Sequence, residues 1–246
     1  MAHDRMTLTI ALVLLLVLGS PALGETGRDP ETGRIILVPL NLAVPAATEV
    51  ETGIAPVWEA ILAHFAAQER PVSAIERTSG RALWNDVMSK WQASGDEGGV
   101  VHVYSLFAVR LAEQLEYEEI VFPTVVTRAA RVDGQVARWD GVERPVAVPV
   151  LTQQHIDTGG SEFLASRDGI RGDLAAASLH VAVLRSDGSL RFEGTGGLAL
   201  LQDVVRSARD PELVAKLRQG AFEDGTALRR GVEAAFRSPL PAARAE

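Results

Sequence analysis

Cysteine is absent from the 246 residues, which excludes disulfides, thiolate metal sites and a cysteine nucleophile. Stability must come from the core alone. Aromatic residues make up only 5%, so that core rests on Val, Leu, Ile and Ala. Lysine occurs only at Lys90 and Lys216, leaving arginine to carry nearly all the positive charge. This arginine-rich, lysine-poor composition fits a GC-rich, bacterial coding sequence. The formal charge of −8 speaks against nucleic acid as a partner, because its binders need basic patches. No Gly-Lys-Ser/Thr stands ready as a phosphate loop.

Only one long apolar run is present. Leu8–Leu18 is unbroken apart from Thr9, follows the basic Arg5, and leads into Gly19, Pro21 and Ala22-Leu23-Gly24. It is shorter than the about 20 residues a bilayer-spanning helix needs and ends in helix breakers. Residues 1–24 therefore read as a secretory signal cleaved after Gly24, with an uncleaved anchor as the alternative. Residues 25–34, with two Thr-Gly-Arg repeats and a proline, read as a polar linker.

Beyond the linker, "IILVPL" at Ile35–Leu40 predicts a buried strand. Ile54, Val57, Trp58, Ile61, Leu62 and Phe65 recur at helical spacing, and a second strand is expected to end near Ile75. Leu83, Trp84, Val87, Met88 and Trp91 give another helical face closed by Gly95, and a third helix is expected from Ser105. Asp133-Gly134 and Asp140-Gly141 predict a three-stranded meander after Glu119, in which Pro123 marks an edge or a bulge. Thr152–Asp173 reads as a long surface loop. "AASLHVAVL" and "LRFEG", joined at Asp187-Gly188, predict a hairpin. The carboxy end reads as helical only: one helix from Asp210-Pro211 to Gly220, then another with Leu228, Val232 and Phe236 inward. Residues 238–246 read as a disordered tail.

Gly194-Thr195-Gly196-Gly197-Leu198-Ala199 spells G-x-G-x-x-A, the glycine fingerprint of a dinucleotide turn. That fingerprint needs a parallel strand before it and another after it. Here the preceding strand is a hairpin arm, and no later strand is expected. We therefore expect no cofactor, and glycines that let the chain leave the sheet and pack a helix close to it.

Other candidate chemistry is thin. His64, His102, His155 and His180 have no partner at metal-ligand spacing, so no metal site is expected. Ser105, Ser161 and Ser178 lack a Gly-x-Ser-x-Gly context, so no catalytic residue is assigned. The carboxylates of "EQLEYEE", Glu113–Glu119, read as a solvated acidic face, and Arg171-Gly172-Asp173 as a chance match to an adhesion tripeptide. Trp58, Trp84 and Trp91 lie on apolar helical faces and read as core anchors. Trp139, between two Asp-Gly turns, is the expected exposed aromatic. With Pro123 it forms the candidate interaction surface, although packing of Trp139 back onto its own sheet is the alternative reading, held slightly ahead.

The order of parts resembles the small α/β domain of the TolB amino-terminal domain, the curli-secretion lipoprotein and the lipoproteins that activate penicillin-binding proteins. The resemblance is carried by "IILVPLN", "IAPVWEAILAHFAAQERPV", "EYEEIVFPTVV" and "SLHVAVLRSDGSLRFEGTGG", over about Ile35–Phe236. It lies in element order, with no diagnostic motif. It implies a non-enzymatic part of a cell-envelope assembly. Many such proteins carry a lipidated cysteine after the signal; this chain has none, so no lipid anchor is expected.

The expectation is one α/β (α+β) domain over residues 35–237, a single mixed sheet with an antiparallel meander and a hairpin, packed by amphipathic helices. Its expected role is periplasmic or secreted, binding an unknown envelope protein. A secreted enzyme and a periplasmic small-molecule binder with a pocket under Thr152–Asp173 are the alternatives.

Overall fold

The computed structural model describes residues 33–95, 98–146, 150–151, 164–166, 169–207 and 213–237. The expected signal, most of the linker, the tail, the Asp210-Pro211 cap and most of Thr152–Asp173 lie outside the described residues.

Three strands build the parallel part of a mixed α/β sheet. β1 (Ile35–Leu37) is paired in parallel on one side with β2 (Val72–Ala74) and on the other with β3 (Glu119–Gly134). The connection from β1 to β2 runs through α1 (Ile54–Ala66), and that from β2 to β3 through α2 (Arg77–Ser94) and α3 (Val100–Ala112). α3 begins earlier than the Ser105 expected from its apolar stripe. α2 starts where the Glu76 carboxylate accepts from the Thr78 and Ser79 backbone N–H groups, and ends at Gly95 with φ 68°. The left-handed C-cap at Gly95 is the expected stop signal, whereas the Glu76 cap was not expected from the sequence.

The rest is mainly antiparallel. β3 turns at Gly134 into β4 (Val136–Trp139) and then, at Asp140-Gly141, into β5 (Val142–Pro145). Asp140 and Gly141 both take positive φ, 36° and 76°, as a tight hairpin turn requires. On its other side β3 pairs with β8 (Gly169–Arg185) along its whole length, from Glu119↔Arg185 to Gly134↔Ile170, a ribbon of roughly 50 Å at strand rise. β8 pairs with β9 (Leu190–Leu200), joined at Asp187-Gly188 as expected.

Alternation of side chains across this sheet makes two cores. Ile35, Leu37, Val121, Leu179 and Val181 face α1 and the last helix, α4 (Gly225–Arg237), through Val57, Ile61, Leu228 and Val232. Ile36, Ile120, Phe122, Ala182 and Leu184 face α2 and α3 through Trp84, Val103, Tyr104 and Phe107. Helices thus cover both faces of one end of the sheet. Past them, a third core around Ala130, Trp139, Leu174, Leu200 and Val204 is closed by a second sheet.

That second sheet corrects the expectation of a single one. It consists of β6 (Val150–Leu151), β10 (Gln202–Ser207) and β11 (Leu213–Leu217), in the order β11-β10-β6. A helix was expected where β11 lies. Leu213 and Ala215 are buried while Val214 and Lys216 are half-buried, the period-2 pattern of a strand. The expected loop is also part strand: β7 (Leu164–Ser166) pairs with the start of β8, and Arg171-Gly172-Asp173 lies inside β8, with Arg171 Nε 3.5 Å from Asp133 Oδ1 across the ribbon.

Candidate interaction groove

The glycine fingerprint is a packing device. Gly194–Ala199 lies within β9, not in a turn, and β10 follows it, so the premise that only helices come after was wrong. Neighbouring strand residues face opposite sides. A Cβ on Gly196 would run into the Gly231 carbonyl of α4 and lie 2.6 Å from Ala235 N, whereas one on Gly197 would meet Val142 and lie 2.8 Å from Trp139 Nε1. The two adjacent glycines therefore admit helix backbone on one face and an aromatic hairpin on the other. A helix does pack close, as expected, but it is α4 rather than the segment that follows.

The same contact removes the expected surface. Trp139 is 6% exposed: the Asp140-Gly141 turn folds over β9, Gly197 N–H donates to Asp140 O at 3.2 Å, and the indole N–H donates to Ala177 O at 3.2 Å. A register shift between Ala177 and Ser178 leaves that carbonyl to the indole. Pro123 is buried too, in the middle of the sheet. Val121 O and Pro123 O accept from Val38 N and Asn41 N, so this parity of β3 faces β1. β1 has ended by Leu37, and no ladder bond needs the missing proline N–H. Neither residue offers a surface.

Most of the other candidate polar groups are engaged within the protein, while the buried Ser178 Oγ has no hydrogen-bond partner among the described residues. His180 Nε2 lies 2.8 Å from Glu193 Oε1. Glu119 is not on a solvated face: it is 2% exposed, accepts from Arg70 Nη2 at 3.1 Å and meets the Arg191 guanidinium. Glu113 pairs with Arg110. Tyr117 donates to Ala108 O at 2.6 Å, and burial pushes its hydroxyl up to about 12. Ser178 is fully buried, Ser105 lies under the Gly188 turn, His102 sits in the first turn of α3, and His155 and Ser161 lie outside the described residues. His64 stacks on Phe236 at 4.7 Å, and burial holds its imidazole below the usual histidine range.

In open α/β sheets the ligand crevice lies at the carboxyl ends of the strands, where successive connections leave in opposite directions. Here that point lies between β1 and β3, and Asn41 fills it. Its side chain donates to Val125 O at 3.1 Å and accepts from Val125 N at 2.9 Å, with the backbone in left-handed conformation at φ 57°. The amide thus continues the β1–β3 pairing by one step.

The neighbouring space, on the β2 side, is open. A groove of about 280 Å³ runs between the β1 exit, the start of α1 and the β2–α2 junction, lined by Pro39, Leu40, Ile54, Ala55, Trp58, Ile75 and Arg77. Trp58 is only partly buried, and Leu62 continues its stripe one turn along α1 at 38% exposure. Arg77 donates to Leu40 O at 3.2 Å. Beside this groove runs β2, an edge strand paired only with β1 among the described residues. Sequence periodicity named Trp58 but assigned it to the core, because the groove joins three segments that only the fold brings together.

Among the described residues, no helix is long and apolar enough to cross a membrane. No protein-family model matches the chain, and no curated protein sequence does. Among solved structures, the crystal structure of lipoprotein GNA1162 from Neisseria meningitidis is similar at 11% identity and a TM-score of 0.31, over 67% of this chain and 81% of that one.

Proposed function

We propose that this chain is an exported, non-enzymatic binding or assembly module of the cell envelope, acting through contacts with other proteins. Kinship with the TolB amino-terminal type of domain is part of that proposal. The observation that carries it is the groove beside a free strand edge: an aromatic and aliphatic surface next to backbone groups with no strand partner among the described residues. Exposed aromatics and strand edges are the usual means by which one protein holds an extended segment of another. The signal-like Leu8–Leu18 run with Ala22-Leu23-Gly24 supports the compartment.

Two measurements test this reading. Amino-terminal sequencing of the mature protein from an envelope fraction is expected to begin at Glu25; a cytosolic chain beginning at Met1 overturns export. A photo-crosslinking residue at Ala55 or Leu62 should yield a protein adduct in intact cells that the same residue at Lys90 does not. Equal adducts from all three positions would remove the groove as the contact.

A further inference from the structure

We propose that the free edge of β2 takes up an extended peptide that alternates apolar and acidic residues, as an added strand. This rests on the protein-contact reading above and names the chemistry of the partner. Ile35 N donates to Pro71 O and Ile75 N donates to Leu37 O, both at 3.0 Å. Residues 71, 73 and 75 therefore turn their backbone groups toward β1, while Val72 and Ala74 turn theirs outward. Those outward groups form the short ladder on which a strand can add.

The two faces of that ladder differ. On the α1 side, Val72 and Ala74 lie in register with Ile35 and Leu37, whose side chains pack under α1, and the apolar groove begins at the next residue, Ile75. On the other side Ser73 receives both Nε and Nη2 of Arg34, at 3.1 and 3.0 Å. Arg34 on this face, and Arg77 at the end of the groove, are exposed and bonded only to neutral oxygens among the described residues, Ser73 Oγ and Leu40 O. Arg81, exposed one turn along α2, adds a third guanidinium without a described carboxylate partner. Glu76, beside Arg77, is turned into its own helix as a cap, where its hydrogen bonds keep it ionised, and Glu118 lies against Gly33. In a chain of net charge −8, this edge gathers three guanidinium groups that have no carboxylate bonded to them among the described residues. A strand laid there meets apolar surface on one face and the Arg34 guanidinium on the other, with Arg77 at the end of the groove, so an alternating apolar and acidic sequence is complementary to it. Another edge, Leu190–Thr195 of β9, lacks that bias, because Arg191 is paired with Glu119 and Glu193 with His180.

Fluorescence anisotropy with a labelled octapeptide of alternating Val and Glu, titrated with the full chain, tests the proposal; alternating Val-Lys and Val-Ser peptides are the comparators. Only the Val-Glu peptide is expected to bind saturably. Ala74→Pro, which removes one outward N–H at an edge where proline is tolerated, should weaken it by about fivefold or more, the value of one hydrogen bond. Arg34→Gln with Arg77→Gln should do at least as much and flatten the salt dependence, and it avoids the core if Ala74→Pro fails to fold. Hydrogen exchange should show new protection at the Val72 and Ala74 amides. Equal binding of the Val-Lys or Val-Ser peptide, undiminished binding by folded variants, or protection at Leu190–Thr195 instead would overturn it. Loss of peptide binding with groove crosslinking intact would sink this inference alone.

Discussion

Gly196 of β9 and Gly231 of α4 touch backbone to backbone: a Cβ on either would run into the other strand or helix, at the Gly231 carbonyl or the Gly197 carbonyl. Helix and sheet meet there without side chains between them. Gly196→Ala and Gly231→Ala should each destabilise by about 1–3 kcal/mol, the usual cost of overpacking. Thermal melts against Ser189→Ala, at an exposed turn, check this. Melting points unchanged in both would mean that α4 does not sit this close in solution.

Trp139 is expected to behave as a core residue. Trp139→Ala should cost about 3–5 kcal/mol, in the range of large aromatic deletions. Trp139→Phe should cost less but still register, because it leaves Ala177 O without its indole donor. Urea melts of the two variants separate the cavity from the hydrogen bond. A neutral Trp139→Ala would return the indole to the surface.

Stability should fall on acidification through the histidine range. His64 packs between α1 and α4, facing Phe236, Gln68, Glu233 and Arg237. Burial lowers its pKa, Glu233 opposes this and Arg237 adds to it. With the folded value depressed, the unfolded chain binds the extra proton first. The contribution is fully present above the unfolded value of about 6.5 and is lost as pH falls toward the folded one. Denaturant midpoints between pH 7.5 and 5.5 should drop in the wild type and flatten in His64→Gln. Parallel profiles would show that His64 titrates as in water.

Glu119 holds two guanidinium groups from different parts of the chain. Glu119→Gln leaves Arg70 and Arg191 facing a neutral amide. The loss should reach about 3 kcal/mol, the low end for breaking a buried pair, since both arginines retain contact with water. Arg70→Gln should cost less. Equal and negligible effects would show that the pairing is incidental.

What was legible in the sequence was local. Helix α1 follows from apolar spacing within thirteen residues, and the hairpins follow from Asp-Gly dipeptides whose turns need positive φ. β11 was misread because five residues carry too few repeats to tell period 2 from a helix turn, and a proline nearby favoured the helix. The burial of Trp139 was hidden for a different reason. It depends on Gly197, some sixty residues later, having no side chain. The groove escaped likewise: Leu40, Trp58 and Ile75 come together only when β1 and β2 pair.

The long β3–β8 ribbon also sets the order of events when the chain folds. Its register joins residues from Glu119↔Arg185 to Gly134↔Ile170, and α1 keeps part of its apolar face uncovered until α4, ending at Arg237, docks beside it. Such non-local pairing places folding in the slow range, milliseconds to seconds. At roughly 5–20 residues per second of synthesis, the docking helix arrives several seconds after β3. During that interval the chain is an unfinished domain, with the apolar faces that α4 will cover still open to other chains.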